Sequence, residues 1–303
     1  MAIPPFTNTL PGRFFRKALW KKFSTEIHHD CKGCIHMRAA FCLFRVRILL
    51  AFCFIPLLLA GSGSTAIFAQ DTTNPATVAS AGPQYPKDPS LLPGKGPATT
   101  STELPKVWAE RHAEWAQTAD KDKGAVVFLG DSITQGWHSL ANAFPEIKVA
   151  NRGIGYDTTR GVLYRLNADV LALKPAAVVL LIGINDIGLG GKPEDIADNI
   201  KAILSALKQS NPRMPVIVCK VMPSRHQIAG QIEQLNTLVD EIVKRDPQFI
   251  RCDTWSIYAD KNGGCPKDEF PDLIHPNATG YAKWAAALKP IFARINPSRN
   301  QPQ

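Results

Sequence analysis

The chain has 303 residues, of which 45% are hydrophobic, and a formal net charge of +9. Residues 1–69 contain nine Lys or Arg and two acidic residues, a net charge of +7, which leaves +2 for residues 70–303. A body so close to neutral lacks the basic surface that nucleic acid requires, so nucleic-acid partners are excluded for it. The length allows one large domain or two small ones.

Residues 1–69 have the pattern of an N-terminal extension followed by a signal peptide. Basic residues around Arg45 precede an apolar run at residues 48–60, and small residues at 64–66 and 67–69 offer cleavage sites. The run is shorter than the roughly 20 residues of a membrane-spanning helix, which favours a cleaved signal and a periplasmic or secreted protein. Residues 48–69 together are long enough for an uncleaved anchor, and membrane contact is expected only in that case.

The segment before this signal is unusually long, so Met37 is a candidate for the true start and residues 1–36 for an untranslated extension. Cys31 and Cys34 have the spacing of half a zinc site, but no second ligand pair follows them. No metal or other cofactor is expected in the folded body. There, Cys252 and Cys265 could pair in an oxidising compartment, with separate thiols as the alternative.

Residues 70–103 are rich in Pro, Ser, Thr, Ala and Gly and show neither helical nor strand periodicity. They are expected to form an extended linker that packs on nothing. The folded domain is expected over residues 104–296, which is one domain's length, with a tail at residues 297–303.

Within this domain, helical and strand-like segments alternate. An opening helix, LPKVWAERHAEWAQTA, is followed by short apolar runs typical of strands buried on both faces, namely AVVFLG, IKVANRG, AAVVLLIG, PVIVCKVM and FIRCDTW. Helical segments follow the last four, namely DTTRGVLYRLNADVLAL, KPEDIADNIKAILSALKQ, IAGQIEQLNTLVDEIVKR and NATGYAKWAAALKPIFARI. The alternation predicts a three-layer α/β/α sandwich around a five-stranded parallel sheet, as in flavodoxin-like folds.

Polar, glycine-containing turns end three of these strands, at residues 130–132, 151–153 and 183–186. Ligands of such sheets bind beyond the carboxyl ends of the strands, so the turns are expected to meet at one cleft. Ser132 lies in the first turn and becomes a nucleophile only if a base takes its proton. Its neighbour Asp131 is interpreted as a helix cap, with direct chemistry as the alternative.

His275 is the best candidate for that base. Asp272 lies three residues earlier in a Pro-flanked loop, so its carboxylate can fold back onto Nδ1 and leave Nε2 for the serine proton. The alternative is a capped turn without catalytic function. If His138 or His226 lies closer to Ser132, the assignment fails.

Acyl transfer also needs hydrogen-bond donors for the oxyanion that develops on the carbonyl. The candidates are the side-chain amide of Asn185, a backbone N–H of the glycine turn at residues 153–157, and the N–H of Ser132. Each has an ordinary alternative as a tight turn or a helix entry.

These blocks resemble, in order, those of the SGNH (GDSL) hydrolases, over a stretch from about Val126 to Trp284. The matching segments are GDS at 130–132, the glycine turn after Asn151, GIND at 183–186 and DLIH at 272–275. The stretch GIGYDTTRGVLYRL is most similar to the catalytic subunits of intracellular platelet-activating-factor acetylhydrolase.

The resemblance implies a serine esterase without a cofactor, with Ser132 as nucleophile, His275 as base and Asp272 as its orienter. It also implies that the N–H groups of Ser132 and Tyr156 and the side chain of Asn185 bind the oxyanion. Tyr156 departs from the family, which usually has glycine just before the DT pair. The change keeps an N–H but restricts the backbone, and the ring is expected to narrow the acyl site.

Other side chains are candidates for substrate contact. Arg152 and Arg160 could meet an anionic or sugar substrate, or be solvated surface residues. Trp137, Trp255 and Trp284 could stack on sugars, with core packing as the alternative for Trp284.

The leading hypothesis is an exported esterase that removes a short acyl group, acetyl above all, from a small ester or an acetylated carbohydrate. A lysophospholipase or thioesterase would need a long apolar channel, of which the sequence gives no sign. A non-catalytic carbohydrate-binding relative would be expected to lack Ser132, Asp272 or His275.

Overall fold

A computed structural model describes residues 82–99 and 101–297 of the chain. Its sheet has strands β1 to β5 at Val126–Gly130, Val149–Gly153, Ala177–Leu181, Val216–Cys219 and Phe249–Cys252. All neighbouring strands are parallel, and their order across the sheet is β2-β1-β3-β4-β5. The predicted five-stranded parallel sheet is therefore confirmed.

Helices connect the strands and cover the sheet. In chain order, α1 to α9 are Leu104–Ala116, Ala119–Asp122, Ser132–Gln135, Leu140–Ala143, Thr159–Asp169, Ile184–Gly188, Pro193–Ser210, Ala229–Val243 and Ala278–Ile295. Short 3₁₀ turns lie at Pro89–Leu91, Leu171–Leu173 and His226–Ile228. Helix α5 begins after Thr158, whose side chain accepts from the N–H of Gly161.

Continuous apolar sequence becomes strand in the centre of the sheet because both faces are covered. Every residue of β1 and β3 is buried. The ring of Phe128 in β1 lies within 6.3 Å, between centroids, of those of Trp137 and Trp284. Both tryptophans are buried in this aromatic cluster, so the expectation that either one stacks on a sugar is wrong. Trp255 is half-buried.

The segment at residues 82–99 packs on the domain, so the expectation of a linker that packs on nothing is wrong there. Leu92 is buried, and the ring of Tyr85 contacts that of Trp108 edge-on, with 5.2 Å between centroids. The indole N–H of Trp108 donates to the carbonyl of Pro83. Most of its hydrogen bonds to the domain are accepted by backbone carbonyls. Every residue type has such a carbonyl, so these contacts impose no periodic pattern on the sequence.

The predicted signal peptide, the Cys31 and Cys34 pair and all but the first residue of the C-terminal tail lie outside the described residues. Within residues 82–99 and 101–297, no helix is long and apolar enough to cross a membrane. Cys219, Cys252 and Cys265 are buried free thiols, so the suggested pairing of Cys252 with Cys265 is not formed.

Candidate active site

The turn after β1 presents Ser132 at the carboxyl edge of the sheet. Asp131 caps the short helix that begins at Ser132, because its Oδ1 accepts from the backbone N–H of Ile133 at 2.9 Å. The carboxylate is buried, and within the described residues its Oδ2 has no hydrogen-bond partner. Burial raises the pKa of Asp131 to about 7.

The structure brings together the three side chains that the sequence predicts to form a triad. Nε2 of His275 lies 2.8 Å from Oγ of Ser132, and Nδ1 of the same ring lies 2.6 Å from Oδ2 of Asp272. Both predicted contacts are present, and the first joins residues that are 143 positions apart in the sequence. This is the arrangement in which a carboxylate orients an imidazole toward a hydroxyl.

The loop that carries His275 is folded by its own carboxylate. Oδ1 of Asp272 accepts from the backbone N–H groups of Ile274 at 3.0 Å and His275 at 2.8 Å, which leaves Oδ2 for the imidazole. Burial acts to raise the pKa of Asp272, but the hydrogen bond and charge of His275 and these two N–H groups outweigh it. The pKa is lowered to about 2, so Asp272 is ionised at neutral pH.

A second contact fixes the same loop from outside. Leu273 has a φ of +64°, the left-handed region that a branched side chain rarely adopts. Its carbonyl accepts from Oγ of the buried Ser224 at 2.7 Å. Ser224 follows β4, so the fourth strand end also supports the histidine.

The competing histidines have other environments. His138 is exposed. His226 is also exposed and pairs with Asp260 at 2.9 Å. His275 is therefore the histidine that contacts Ser132.

The predicted oxyanion donors lie at the ends of β1, β2 and β3. Nδ2 of Asn185 donates to the carbonyl of Asp157 at 2.8 Å, which uses one of its two N–H bonds and fixes the direction of the other. Among the described residues, the N–H groups of Ser132 and Tyr156 have no acceptor. All three groups thus keep an N–H to offer.

The turn after β2 is packed against the short helix that begins at Ser132. A Cβ at Gly153 would lie 2.3 Å from the backbone nitrogen of Gln135, so only glycine fits there. The N–H of Gly155 donates to the side chain of Gln135, and a Cβ at Gly155 would lie 3.9 Å from Cβ of Ser132. The close packing places this turn beside the serine.

Tyr156 occupies a backbone conformation suited to glycine. Its φ is +66°, which costs a non-glycine residue about 1–2 kcal/mol. Its half-buried ring packs against the apolar cluster that includes Leu104 and Trp108 of α1 and Ile154. This packing offsets the backbone strain. The expected narrowing of the acyl site by the ring stays a prediction.

A buried ionic network that the sequence did not reveal supports these turns. Nε of Arg165 lies 2.8 Å from Oδ2 of Asp157, and Nη1 lies 3.4 Å from Oδ2 of Asp169. Nη2 donates to the carbonyl of Gly130 at 3.0 Å. One guanidinium therefore ties the end of β1 to the turn that follows Tyr156. The one sequence feature that could have indicated this network is the position of Arg165 near Val162 and Leu166, on the apolar face of its helix.

Arg152 and Arg160, the two arginines considered as substrate ligands, are both engaged inside the protein. Arg152 is buried and binds the carboxylate of Asp122 at 2.8 Å and the carbonyl of Asp169 at 3.2 Å. Arg160 donates to backbone carbonyls within residues 82–99. Both the substrate-contact and the solvated-surface interpretations are wrong for Arg152, because its charge is compensated inside the domain.

The GDSL-like Lipase/Acylhydrolase family matches residues 128–283, more than half of the chain. The chain belongs to this family. It is an ester-hydrolysing enzyme with the fold of the SGNH hydrolases, as the sequence predicted.

Two relatives are subunits of platelet-activating factor acetylhydrolase IB. The chain is 28% identical over 198 residues to platelet-activating factor acetylhydrolase IB subunit alpha1 of Pongo abelii, covering 62% of this chain and 84% of the relative. It is 28% identical over 201 residues to the alpha2 subunit of Rattus norvegicus, and the match covers 62% of this chain and 84% of that relative. The solved structure of a GDSL-like lipase from Bacteroides thetaiotaomicron shares the fold, with a TM-score of 0.54 and 24% sequence identity. The match covers 60% of this chain and 97% of that structure's chain.

Proposed function

We propose that the protein is a serine esterase that hydrolyses short-chain acyl esters, acetyl esters above all, through an acyl-enzyme. The observation that carries the proposal is the hydrogen-bonded series from Ser132 Oγ to His275 Nε2, and from His275 Nδ1 to Asp272 Oδ2, at 2.8 and 2.6 Å. The three residues are half-buried at the sheet edge, where an ester can reach the serine.

In the acylation step, Nε2 of His275 takes the proton of Ser132 as Oγ forms a bond to the carbonyl carbon. The imidazolium that results is stabilised by Asp272, which is ionised because its pKa is about 2. The tetrahedral intermediate then collapses, and the leaving alkoxide takes the proton from Nε2. A water molecule repeats the sequence on the acyl-enzyme and releases the carboxylic acid.

The negative charge of each intermediate falls on the former carbonyl oxygen. We assign its stabilisation to the N–H groups of Ser132 and Tyr156 and the remaining N–H of Asn185. Donors that are already oriented stabilise this charge without reorganising during the reaction, and each is worth about 3 kcal/mol in comparable sites. The hydrogen bond from Asn185 to the carbonyl of Asp157 supplies such orientation.

The preference for acetyl esters is supported by the acetylhydrolase relatives and by Tyr156. The triad is indifferent to the length of the acyl chain, so selectivity depends on the walls beside it. A panel of p-nitrophenyl acetate, butyrate and octanoate tests this, with acetate expected to have the highest kcat/KM. A higher kcat/KM for octanoate would indicate a lysophospholipase or a long-chain thioesterase instead.

Two variants separate chemistry from selectivity. Ser132→Ala should lower kcat/KM about 10³-fold or more for every chain length. Tyr156→Gly should raise the octanoate-to-acetate ratio of kcat/KM, because the variant removes a ring that we propose to be one wall of the acyl site. If the ratio is unchanged, the ring does not line the acyl site and the assignment of selectivity to Tyr156 is lost.

We also propose that the protein is exported and that its natural ester is an acetylated carbohydrate. The support is the signal-like pattern before residue 70 and the compartment it implies. The mature N-terminus is expected between Ile67 and Asp71, which sequencing of secreted protein measures. Acetate release from acetylated xylan, compared with p-nitrophenyl acetate, tests the carbohydrate. A mature protein that retains Phe52 would indicate a membrane anchor.

A further inference from the structure

Residues 82–99, named the strap here, precede the part of the chain that matches the family and contact three helices of the domain, α1, α5 and α7. Arg160 on α5 holds the strap by donating to four of its backbone carbonyls, those of Ser90, Leu92, Pro93 and Gly96. Four hydrogen bonds from one arginine fix the backbone path of this segment, which has almost no regular secondary structure. The strap is thus a built element of the domain.

A second, buried contact connects the strap to the interior. Asn199 on α7 accepts from the N–H of Lys95 at 2.8 Å and donates to the carbonyl of the same residue at 2.8 Å. Its Nδ2 also donates to Oγ1 of Thr159 at 2.9 Å. The residue is 2% exposed, so these bonds are shielded from water.

Thr159 passes this connection on to the oxyanion side of the site. Its hydroxyl donates to Oδ1 of Asp186 at 2.6 Å, and its N–H lies 3.2 and 3.1 Å from the two oxygens of that carboxylate. Asp186 is fully buried and directly follows Asn185. Both residues lie in the first turn of α6, so the position of this carboxylate fixes the backbone that carries the Asn185 amide.

We propose that Asn199 and Thr159 are positioning residues, through which the strap sets the orientation of Asn185 toward the oxyanion. This inference rests on the proposed function, because it assigns a task to an amide that is itself proposed to bind the oxyanion. The hydrogen bonds run without interruption from Lys95 to Asp186, through two buried side chains. The strap therefore adds a structural support for the oxyanion side that lies outside the family-matched residues.

The test uses the full chain and two substitutions of similar volume, Thr159→Val and Asn199→Leu. Each removes one link, and each should lower kcat for p-nitrophenyl acetate about tenfold with KM changed less than twofold. Thr159→Ser keeps the hydroxyl and should restore most of the activity. The matched control is Asp198→Ala, which removes the exposed ion pair between the strap's Lys95 and the neighbour of Asn199, and it should stay within twofold of wild type.

A second readout separates positioning from stability. The rate at which a p-nitrophenyl alkylphosphonate labels Ser132 depends on the oxyanion donors, so it should fall in parallel with kcat at temperatures well below each variant's Tm. If the labelling rate and kcat are unchanged while Tm falls, the contacts are only structural and the inference is overturned. Activity lost in Thr159→Val but kept in Asn199→Leu would overturn it too, because the strap would then be uncoupled.

Two results keep this inference distinct from the proposed function. If Asn199→Leu does not fold, Arg160→Gln loosens the strap from its solvent side and should lower kcat in the same direction, whereas unchanged kcat contradicts the inference. If the wild-type protein neither hydrolyses esters nor reacts with the phosphonate, the proposed function itself fails. Wild-type activity together with fully active variants removes only the role of the strap.

Discussion

The two sides of the site are held in different ways. On the histidine side, one carboxylate organises a four-residue loop, since Asp272 binds backbone and imidazole groups only two and three positions away. On the oxyanion side, the supporting bonds join residues 27 positions apart, as between Thr159 and Asp186, and 104 apart, as between Lys95 and Asn199. A base can thus be oriented by local sequence, whereas donors from separate strands need a framework assembled by the whole fold.

The sharpest way to break the local side is Asp272→Asn. The asparagine Oδ1 can still accept from Ile274 and His275, so the loop should keep its shape. Its NH₂ group cannot accept the Nδ1–H, which favours the wrong tautomer of His275. We expect kcat for p-nitrophenyl acetate to fall about 10³- to 10⁴-fold, as when the carboxylate of a serine-hydrolase triad is neutralised.

The measurement for this variant is steady-state kinetics beside circular dichroism and Tm. Asp268→Asn, an exposed acidic residue at the start of the same region, is the control and should retain wild-type kcat. A loss below tenfold in Asp272→Asn, with the fold intact, would contradict the role given to the carboxylate.

Arg165→Met removes a second support of the oxyanion side, the guanidinium that joins the carbonyl of Gly130 to the carboxylate of Asp157. The substitution leaves Asp157 and Asp169 without their buried cation, which typically costs about 3–5 kcal/mol in the free energy of unfolding. The matched control is Arg251→Met, because the Arg251 side chain is 59% exposed in its contact with Asp240 and should cost less than about 1 kcal/mol.

Urea unfolding at pH 7.5 and pH 5 measures both Arg165→Met and its control. Burial raises the pKa of Asp157 to about 6, while Arg165 acts to lower it, so loss of the arginine raises the pKa further. The carboxyl can then stay protonated at pH 5, and the cost of Arg165→Met should be smaller there. Equal costs at the two pH values would show that Asp157 is not the group left unpaired.

Ser224→Ala tests whether the histidine loop is as self-sufficient as its local bonds suggest. The serine hydroxyl fixes the carbonyl of Leu273, which has the left-handed backbone. Its loss should lower kcat about tenfold with little change in KM, the size expected for one lost buried hydrogen bond. Ser224→Thr keeps a hydroxyl and should recover activity, and Ser256→Ala, which removes an exposed bond to Asp253, should be neutral. Wild-type kcat in Ser224→Ala would mean that Asp272 holds the loop alone.

The same contrast decides how much could be predicted from the sequence. The strands of the sheet were predictable because parallel strands buried on both faces are continuous apolar runs, as VVFLG and AVVLL are. The pairing of Asp272 with His275 was predictable because three positions separate the partners. Arg165 and the strap were not. The strap and one N–H of Arg165 bind backbone carbonyls, and the i,i+4 spacing of Arg165 and Asp169 is shared by ordinary exposed ion pairs on helices.

Asp131→Asn gives the smallest expected effect. It tests whether the buried carboxyl beside Ser132 is protonated, in contrast to the ionised carboxylate of Asp272. The buried carboxyl has a pKa of about 7, raised by burial from 3.8, so the folded protein holds its proton between about pH 4 and pH 7 while the unfolded chain releases it. Folding is therefore favoured by this group at low pH, and the contribution is lost as pH rises toward 7. The pKa of Asp272 is lowered, so its stabilisation is complete above about pH 4 and is constant across this window.

An asparagine at position 131 keeps an oxygen for the N–H of Ile133 but cannot ionise. Between pH 5 and pH 8 the wild type should therefore lose stability that the variant keeps. Urea unfolding should show the free energy of unfolding of Asp131→Asn, minus that of wild type, rising from pH 5 to pH 8. Asp120→Asn is the control, since the pKa of this exposed residue is lowered by Lys123 and its effect should be equal at both pH values. A difference for Asp131→Asn that does not change with pH would mean that the carboxyl is already ionised at pH 5. In that case the ionised carboxylate next to Ser132 would be a permanent negative charge at the nucleophile turn, and both sides of the site would be organised around anions.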